Sequence, residues 1–378
     1  MPSNDQWPDV RSRVRGLVVG YCLGDALGRA PDAHRSALVA GTPGLVFLSS
    51  VEGVVRWHVR SQVTGRPASL ADACWEATLR WAHRANRRTL HAVVERAAAG
   101  GDTWPDGWLK DLSLLRGGRG SAPAIELALD APDHDRTPGG GTSDSVGDLV
   151  LSRTLPVALA AVAGLTPVAT DDAAPAAPED GGHPVSVAAR DVAAATHGIV
   201  AQVLAVALTR TLAETLVSGE VRPLVDLPDL SAVYRGVPHT DDVVRARVAL
   251  RALADLMPPH PRASDDISHG IPSGNRTALG AVREGLRCAL AHPGRAEVDG
   301  AIADLVSVPH PAAGAVTLAL LGAAHGVEAL PPDAVARLDV GHVADQLALD
   351  LVAEVEGGPQ RSPHRDAVED WLRRYPPG

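Results

Sequence analysis

Aromatic residues make up 3% of this 378-residue chain, although apolar residues as a whole reach 45%, and Phe47 is its one phenylalanine. Any core must therefore be assembled from alanine, valine and leucine. Ala and Leu are strong helix formers, and alanine lets helices approach closely, so the palette predicts an all-α protein. The length is ample for a buried core, and residues 1–378 read as a single domain. Flexible loops are expected at 130–147, which contains Gly139-Gly140-Gly141, and at 166–186, rich in Asp, Ala and Pro. The second of these stretches lacks the apolar surface to order itself.

The formal net charge is -10, with arginines spread along the chain, which argues against a nucleic-acid partner. Met1-Pro2-Ser3-Asn4-Asp5-Gln6 lacks the positive flank and apolar run of a signal peptide. No apolar stretch reads as clean enough to cross a bilayer, so a cytoplasmic protein without membrane partners is expected. Cys22, Cys74 and Cys288 stand singly within helical patterns and read as buried, reduced thiols.

Val10, Val14, Leu17, Val18 and Tyr21 fall at helical spacing and lead to Gly28. An apolar run from Leu45 to Val59 follows. Ser69 reads as an N-cap with Asp72 three residues on, and Leu70, Cys74, Ala77 and Trp81 mark one face of the next helix. Further helices are predicted at 150–163, 187–217, 241–256, 277–291, 314–324 and 341–355. Several are apolar on every side, which places them in the middle of a bundle. Thr170-Asp171-Asp172, Thr240-Asp241-Asp242 and Ser264-Asp265-Asp266 read as local backbone caps and connections. The fifteen histidines are scattered without metal-binding spacing, and no Walker loop, nucleophile elbow or dinucleotide fingerprint occurs.

Four segments carry a resemblance in a fixed order. They are Gly24-Asp25-Ala26-Leu27-Gly28 with Asp32 beyond it; Arg116-Gly117-Gly118-Arg119-Gly120-Ser121; Arg153-Thr154-Leu155-Pro156 followed by Thr196-His197-Gly198; and Leu321-Gly322-Ala323-Ala324-His325-Gly326. Together, from about Arg13 to about Asp350, they resemble the ADP-ribosylglycohydrolase family. The resemblance implies one orthogonal multi-helix bundle around a two-metal cleft, and removal of ADP-ribose from arginine, serine or other acceptors with magnesium or manganese. It places Arg116, Gly118, Arg119, Gly120, Ser121, Arg153, His197 and His310 around a ligand.

The departures bear on activity. The place of the family's Thr-Asp-Asp-Thr reads as Ser49-Ser50-Val51-Glu52-Gly53. The place of Gly-Asp-x-Asp-Thr, counted back from Gly322, puts Pro309 and Pro311 on the two aspartates and Ala312 on the threonine. Hard dications need several oxygen donors, commonly two or more carboxylates, so no binuclear metal site and no cofactor is expected. Asp25 in its Gly-Asp turn either caps backbone amides or faces a ligand. The leading expectation is a degenerate member that binds an ADP-ribose-like or nucleotide ligand, with an ADP-ribosylated protein or small molecule as partner. Two alternatives stand beside it: a glycosidase or transferase using Glu52 with Asp25 or Asp32 as a metal-free carboxylate pair, and a regulatory protein-interaction subunit.

Overall fold

The computed structural model describes residues 7–29, 37–136, 143–164, 183–224, 233–234, 240–254, 276–307 and 310–377. Fifteen α-helices carry these residues: α1 (Trp7–Leu27), α2 (Thr42–Thr64), α3 (Leu70–Arg84), α4 (His91–Gly100), α5 (Pro123–Asp130), α6 (Leu149–Thr154), α7 (Pro184–Ala194), α8 (Ile199–Ser218), α9 (Thr240–Ala254), α10 (Ala278–Ala291), α11 (Val298–Ser307), α12 (Pro311–His325), α13 (Pro332–Arg337), α14 (Gly341–Val355) and α15 (Arg365–Arg374). No strand forms among the described residues; two isolated bridges join Leu38 to Leu338 and Gly147 to Thr277. The fold is all-α, as the aromatic-poor composition requires.

The innermost contact is between α1 and α12, which run antiparallel with their backbones touching. A Cβ on Gly16 would stand 2.2 Å from the Gly322 carbonyl oxygen, one on Gly20 2.2 Å from that of Leu318, and one on Gly24 2.0 Å from that of Gly314. One turn further, a Cβ on Gly28 would lie 2.6 Å from Pro311 Cα. Only hydrogen fits at these four positions, which recur once per turn on one face. Around this pair, α2 buries nearly its whole length, and the rings of Tyr21 and Phe47 stack with centroids 3.8 Å apart.

Several helix starts follow their sequence signals. Ser69 Oγ accepts the amide of Asp72 at 3.1 Å, Thr277 Oγ1 that of Gly280 at 3.1 Å, and His310 Nδ1 that of Ala313 at 3.2 Å. Thr240 opens α9 with Asp241 and Asp242 in its first turn, while Thr170-Asp171-Asp172 and Ser264-Asp265-Asp266 lie outside the described residues. The three cysteines are free and buried.

Other expectations need correction. The helix predicted over 187–217 is two, α7 and α8, broken at Thr196-His197-Gly198. A side chain at Gly198 would meet the backbone of Asp144 at 2.9 Å, so a crossing segment occupies that space. The helix over 150–163 is α6 followed by a tighter 3-10 coil at Leu155–Ala161, because Pro156 removes an amide and fixes φ. Contrary to the sequence reading, α8 is long and apolar enough to cross a bilayer, yet 89% of that window is buried inside the bundle. The expected loop at 166–186 lies outside the described residues up to 182, and its last residues already belong to α7. Of the loop at 130–147, residues 137–142 lie outside the description. Its end is tied down on both sides: Gly198 N–H donates to the Ser145 carbonyl at 2.9 Å and Ala278 N–H to that of Val146 at 2.8 Å.

Gly20→Ala is expected to destabilise the protein by on the order of 2 kcal/mol, since overpacking at a backbone contact outweighs the gain in helix propensity of about 1 kcal/mol. Urea unfolding followed by circular dichroism measures this, and a neutral or stabilising result would contradict the packing described here.

Candidate ligand cleft

Because Gly28 abuts Pro311, the end of α1, the start of α2 and the start of α12 meet at one place. They border a cleft of about 560 Å³, also lined by Gly120 and Ser121, by Ser145, Gly147 and Asp148, by His197, and by Arg29, Arg119 and Arg276. Thr42 and Pro43 at the first turn of α2 face Pro311 and Ala312 at the first turn of α12. Each helix N-terminus carries a partial positive charge, so both favour an anion between them.

Asp25 does not face this cleft openly. Its Oδ2 accepts the amides of Gly41 at 2.6 Å and Gly44 at 3.2 Å, capping α2, and its Oδ1 accepts from Arg29 Nε at 3.0 Å. Complete burial raises its pKa above the usual carboxylate value even though Arg29 and the two amides pull the other way. The Arg29 guanidinium is thereby laid against Gly41, where a Cβ would stand 2.1 Å from its Cζ.

Glu52 lies farther along α2, about 12 Å from Gly44 at 1.5 Å per residue, and is fully buried. Its Oε1 accepts from Arg56 Nη2 at 2.9 Å. Burial pushes its carboxyl up, but Arg56, Arg80 and Arg84 more than offset this and hold it below the ordinary value. Asp25 and Glu52 thus serve different partners and do not form a facing carboxylate pair; Asp32 lies outside the described residues.

Among the ligand candidates, Arg119, Gly120, Ser121 and His197 come together at the cleft. Arg119 is committed to structure: it donates to the carbonyls of Ala40 at 2.9 Å and Leu114 at 2.6 Å and pairs with Asp339. Gly120 and Ser121 are what that loop exposes. Arg116 and Gly118 are solvent-exposed and do not line the cleft. His310 acts as the cap of α12 and also stays out of it.

Arg153 works from behind His197. It is buried and donates to the Val192 carbonyl at 2.9 Å and to Thr196 Oγ1 at 2.5 Å. Thr196 Oγ1 lies 2.7 Å from His197 Nδ1. With Arg153 donating to it, the threonine hydroxyl directs its own hydrogen to Nδ1, leaving Nε2–H on the cleft wall. Burial and the Arg153 charge push the imidazole pKa down to about 3, so it remains neutral. His197 Nε2 and Thr42 Oγ1 are both buried and unpartnered. A buried polar atom without a partner is costly, which makes these two the places where a ligand would supply what the protein does not.

Among the described residues, Asp148 is the one carboxylate on the cleft wall. Burial pushes its pKa up to about 6, with Arg276 pulling down and the nearby Asp25 pushing up. Sequence reading missed Arg29, Thr42, Ser145, Asp148 and Arg276. None belongs to a recognisable motif, and they meet only through tertiary packing.

The donors among the described residues do not fit two dications. Among the described residues the wall carries one carboxylate, three prolines, two alanines and three guanidiniums, and no group of three or more His, Cys, Asp or Glu could hold a metal. Ser49 to Gly53 lie inside a buried helix and do not line the cleft, whereas Thr42 and Pro43 line it together with Pro311 and Ala312; Pro309 lies outside the described residues.

Residues 6–361 match the family model of the ADP-ribosylglycohydrolases, and the chain belongs to that family. A solved structure described as an ADP-ribosylglycohydrolase-related protein complex is 19% identical over 92% of this chain and 99% of its own, with a TM-score of 0.49. No curated protein matches.

The Asp148 carboxyl titrates near 4 when unfolded and near 6 when folded, so the folded state holds a proton that the unfolded state releases. Ionising it costs stability progressively as pH rises across that window, and the full cost is present above it. Asp148→Asn is expected to raise the Tm at pH 8 and to leave it unchanged near pH 3. A shift of equal size at both pH values would show that the carboxyl is not perturbed.

Proposed function

We propose that this protein is a divergent ADP-ribosylglycohydrolase-family member that binds an ADP-ribose-like or nucleotide ligand in the cleft without two-metal hydrolysis. The supporting observation is that Thr42-Pro43 and Pro311-Ala312 border a cleft with a single carboxylate among the described residues and with features suited to an anion. Two long helices point their N-termini into it, Arg276 supplies a guanidinium beside the Asp25-paired Arg29, and Thr42 Oγ1 and His197 Nε2 await partners. In two-metal chemistry the ions orient the substrate and activate water; no described side chain here takes over both tasks. The same reading makes the protein cytoplasmic and cofactor-free, with a nucleotide-like molecule or an ADP-ribosylated protein as its partner.

Asp148 favours a second reading, metal-free glycosidic cleavage, because a carboxyl with a pKa near 6 suits a general acid. In that case Asp148→Asn would abolish turnover of ADP-ribosyl-arginine or ADP-ribosyl-serine in the presence of a chelator.

Under the leading reading, ADP-ribose raises the Tm of chelator-treated protein and is released from no acceptor. Two tightly held magnesium or manganese ions per chain, or chelator-sensitive turnover, would overturn it. The absence of any response to ADP-ribose or nucleotides would favour a protein-interaction subunit. Thr42→Val, nearly isosteric, should weaken ADP-ribose about tenfold by calorimetry without lowering stability, since it removes a buried hydroxyl that lacks a partner.

A further inference from the structure

A second cavity, of about 450 Å³, opens where the later turns of α2 meet α3, α4 and the residues after α15. Arginines dominate its wall: Arg56, Arg60, Arg80, Arg96 and Arg136, against Asp72, Glu76 and Asp106. Behind them lie Arg84 and Glu52, fully buried, giving six guanidiniums to four carboxylates.

The carboxylates are shared thinly. Asp106 Oδ1 accepts from both Arg56 Nη1 and Arg80 Nε at 3.0 Å. Glu76 Oε2 accepts from Arg96 Nε at 2.8 Å, with Arg80 Nη1 3.9 Å away. Asp72 pairs with Arg136 at 3.2 Å. Three cationic groups remain under-served: Arg84, whose Nη2 donates to Ser49 Oγ at 2.8 Å and whose buried Nη1 has no acceptor although Glu52 Oε2 is itself unpartnered, and two on the wall. Arg60 pairs with no carboxylate among the described residues, and its Nε donates to the Pro377 carbonyl at 2.5 Å. Arg80, 5% exposed, has a buried Nη1 with no hydrogen-bond acceptor. Burial, with Arg56 beside it, lowers the Arg80 pKa.

A network whose only task was to tie helices together would balance its charges, since an uncompensated buried guanidinium is costly. Here the carbonyls of Pro376 and Pro377 are drawn in as acceptors for Arg56 and Arg60, in the way the oxygens of an anion would be. The geometry points to this cavity as an anion site distinct from the cleft, taking a phosphate group between Arg60, Arg80 and Arg96. Phosphate matches the deficit, because it brings two negative charges and several acceptor oxygens to N–H groups arranged as forks.

Titration of the full-length protein with inorganic phosphate, followed by calorimetry in a chloride buffer, tests this. Saturable binding is expected, weakened about tenfold by Arg60→Gln, partly restored by Arg60→Lys, and unchanged by Thr42→Val in the cleft. ADP-ribose binding should be indifferent to Arg60→Gln, so failure here and failure of the cleft reading are separable. The proposal is overturned if phosphate does not bind, if binding survives Arg60→Gln intact, or if it is lost on Arg276→Gln, which would put the anion in the cleft.

Discussion

Hydrogen atoms in place of side chains on one stripe of α1 let its backbone rest directly on α12. Gly16, Gly20, Gly24 and Gly28 meet Gly322, Leu318, Gly314 and Pro311 in turn. Such a contact has no slack: sliding one helix by a residue would drive a carbonyl into a side chain. The register of two long helices is thereby set from within. With it comes the one junction at which the end of α1 and the starts of α2 and α12 can face each other, so the cleft is a consequence of the glycine stripe.

Within the cleft, electrostatics follow from burial. Asp25 is neutralised by Arg29 and by the amides it caps, and Arg119 by Asp339. What remains at the wall is Arg276, the ionisable Asp148 and two helix N-termini. Protonation of Asp148 near pH 6 tips this balance towards positive charge. His197 takes no part in that titration, because burial, with the Arg153 charge behind it, keeps the imidazole neutral.

The fold was largely legible in the sequence because alanine and leucine without aromatics leave few architectures, and the Ser69 cap and the apolar faces of α8 and α12 announce themselves. The family was legible from four short segments in order. The site was only partly so. The second signature could be placed because it is anchored to Gly322 on the same helix. Thr42 and Pro43, which line the cleft about two turns before Ser49, carry no charge that would mark them in the sequence. The break at His197 was hidden because it depends on Asp144 passing close by, a tertiary fact with no local trace. Asp148 and Arg276 meet through a backbone bond from Asp148 N–H to the Arg276 carbonyl at 3.1 Å, across a span no spacing rule connects.

Proline occupies the opening turn of both helices that confront each other across the cleft. At that position the ring forfeits no hydrogen bond, and its fixed φ already suits a helix. A chemically useful side chain can therefore be exchanged for a ring there without the scaffold registering the change. Folding and chemistry are uncoupled at these two points, so selection for a sound fold offers no protection to reactivity, and thermal robustness in such a chain is uninformative about turnover.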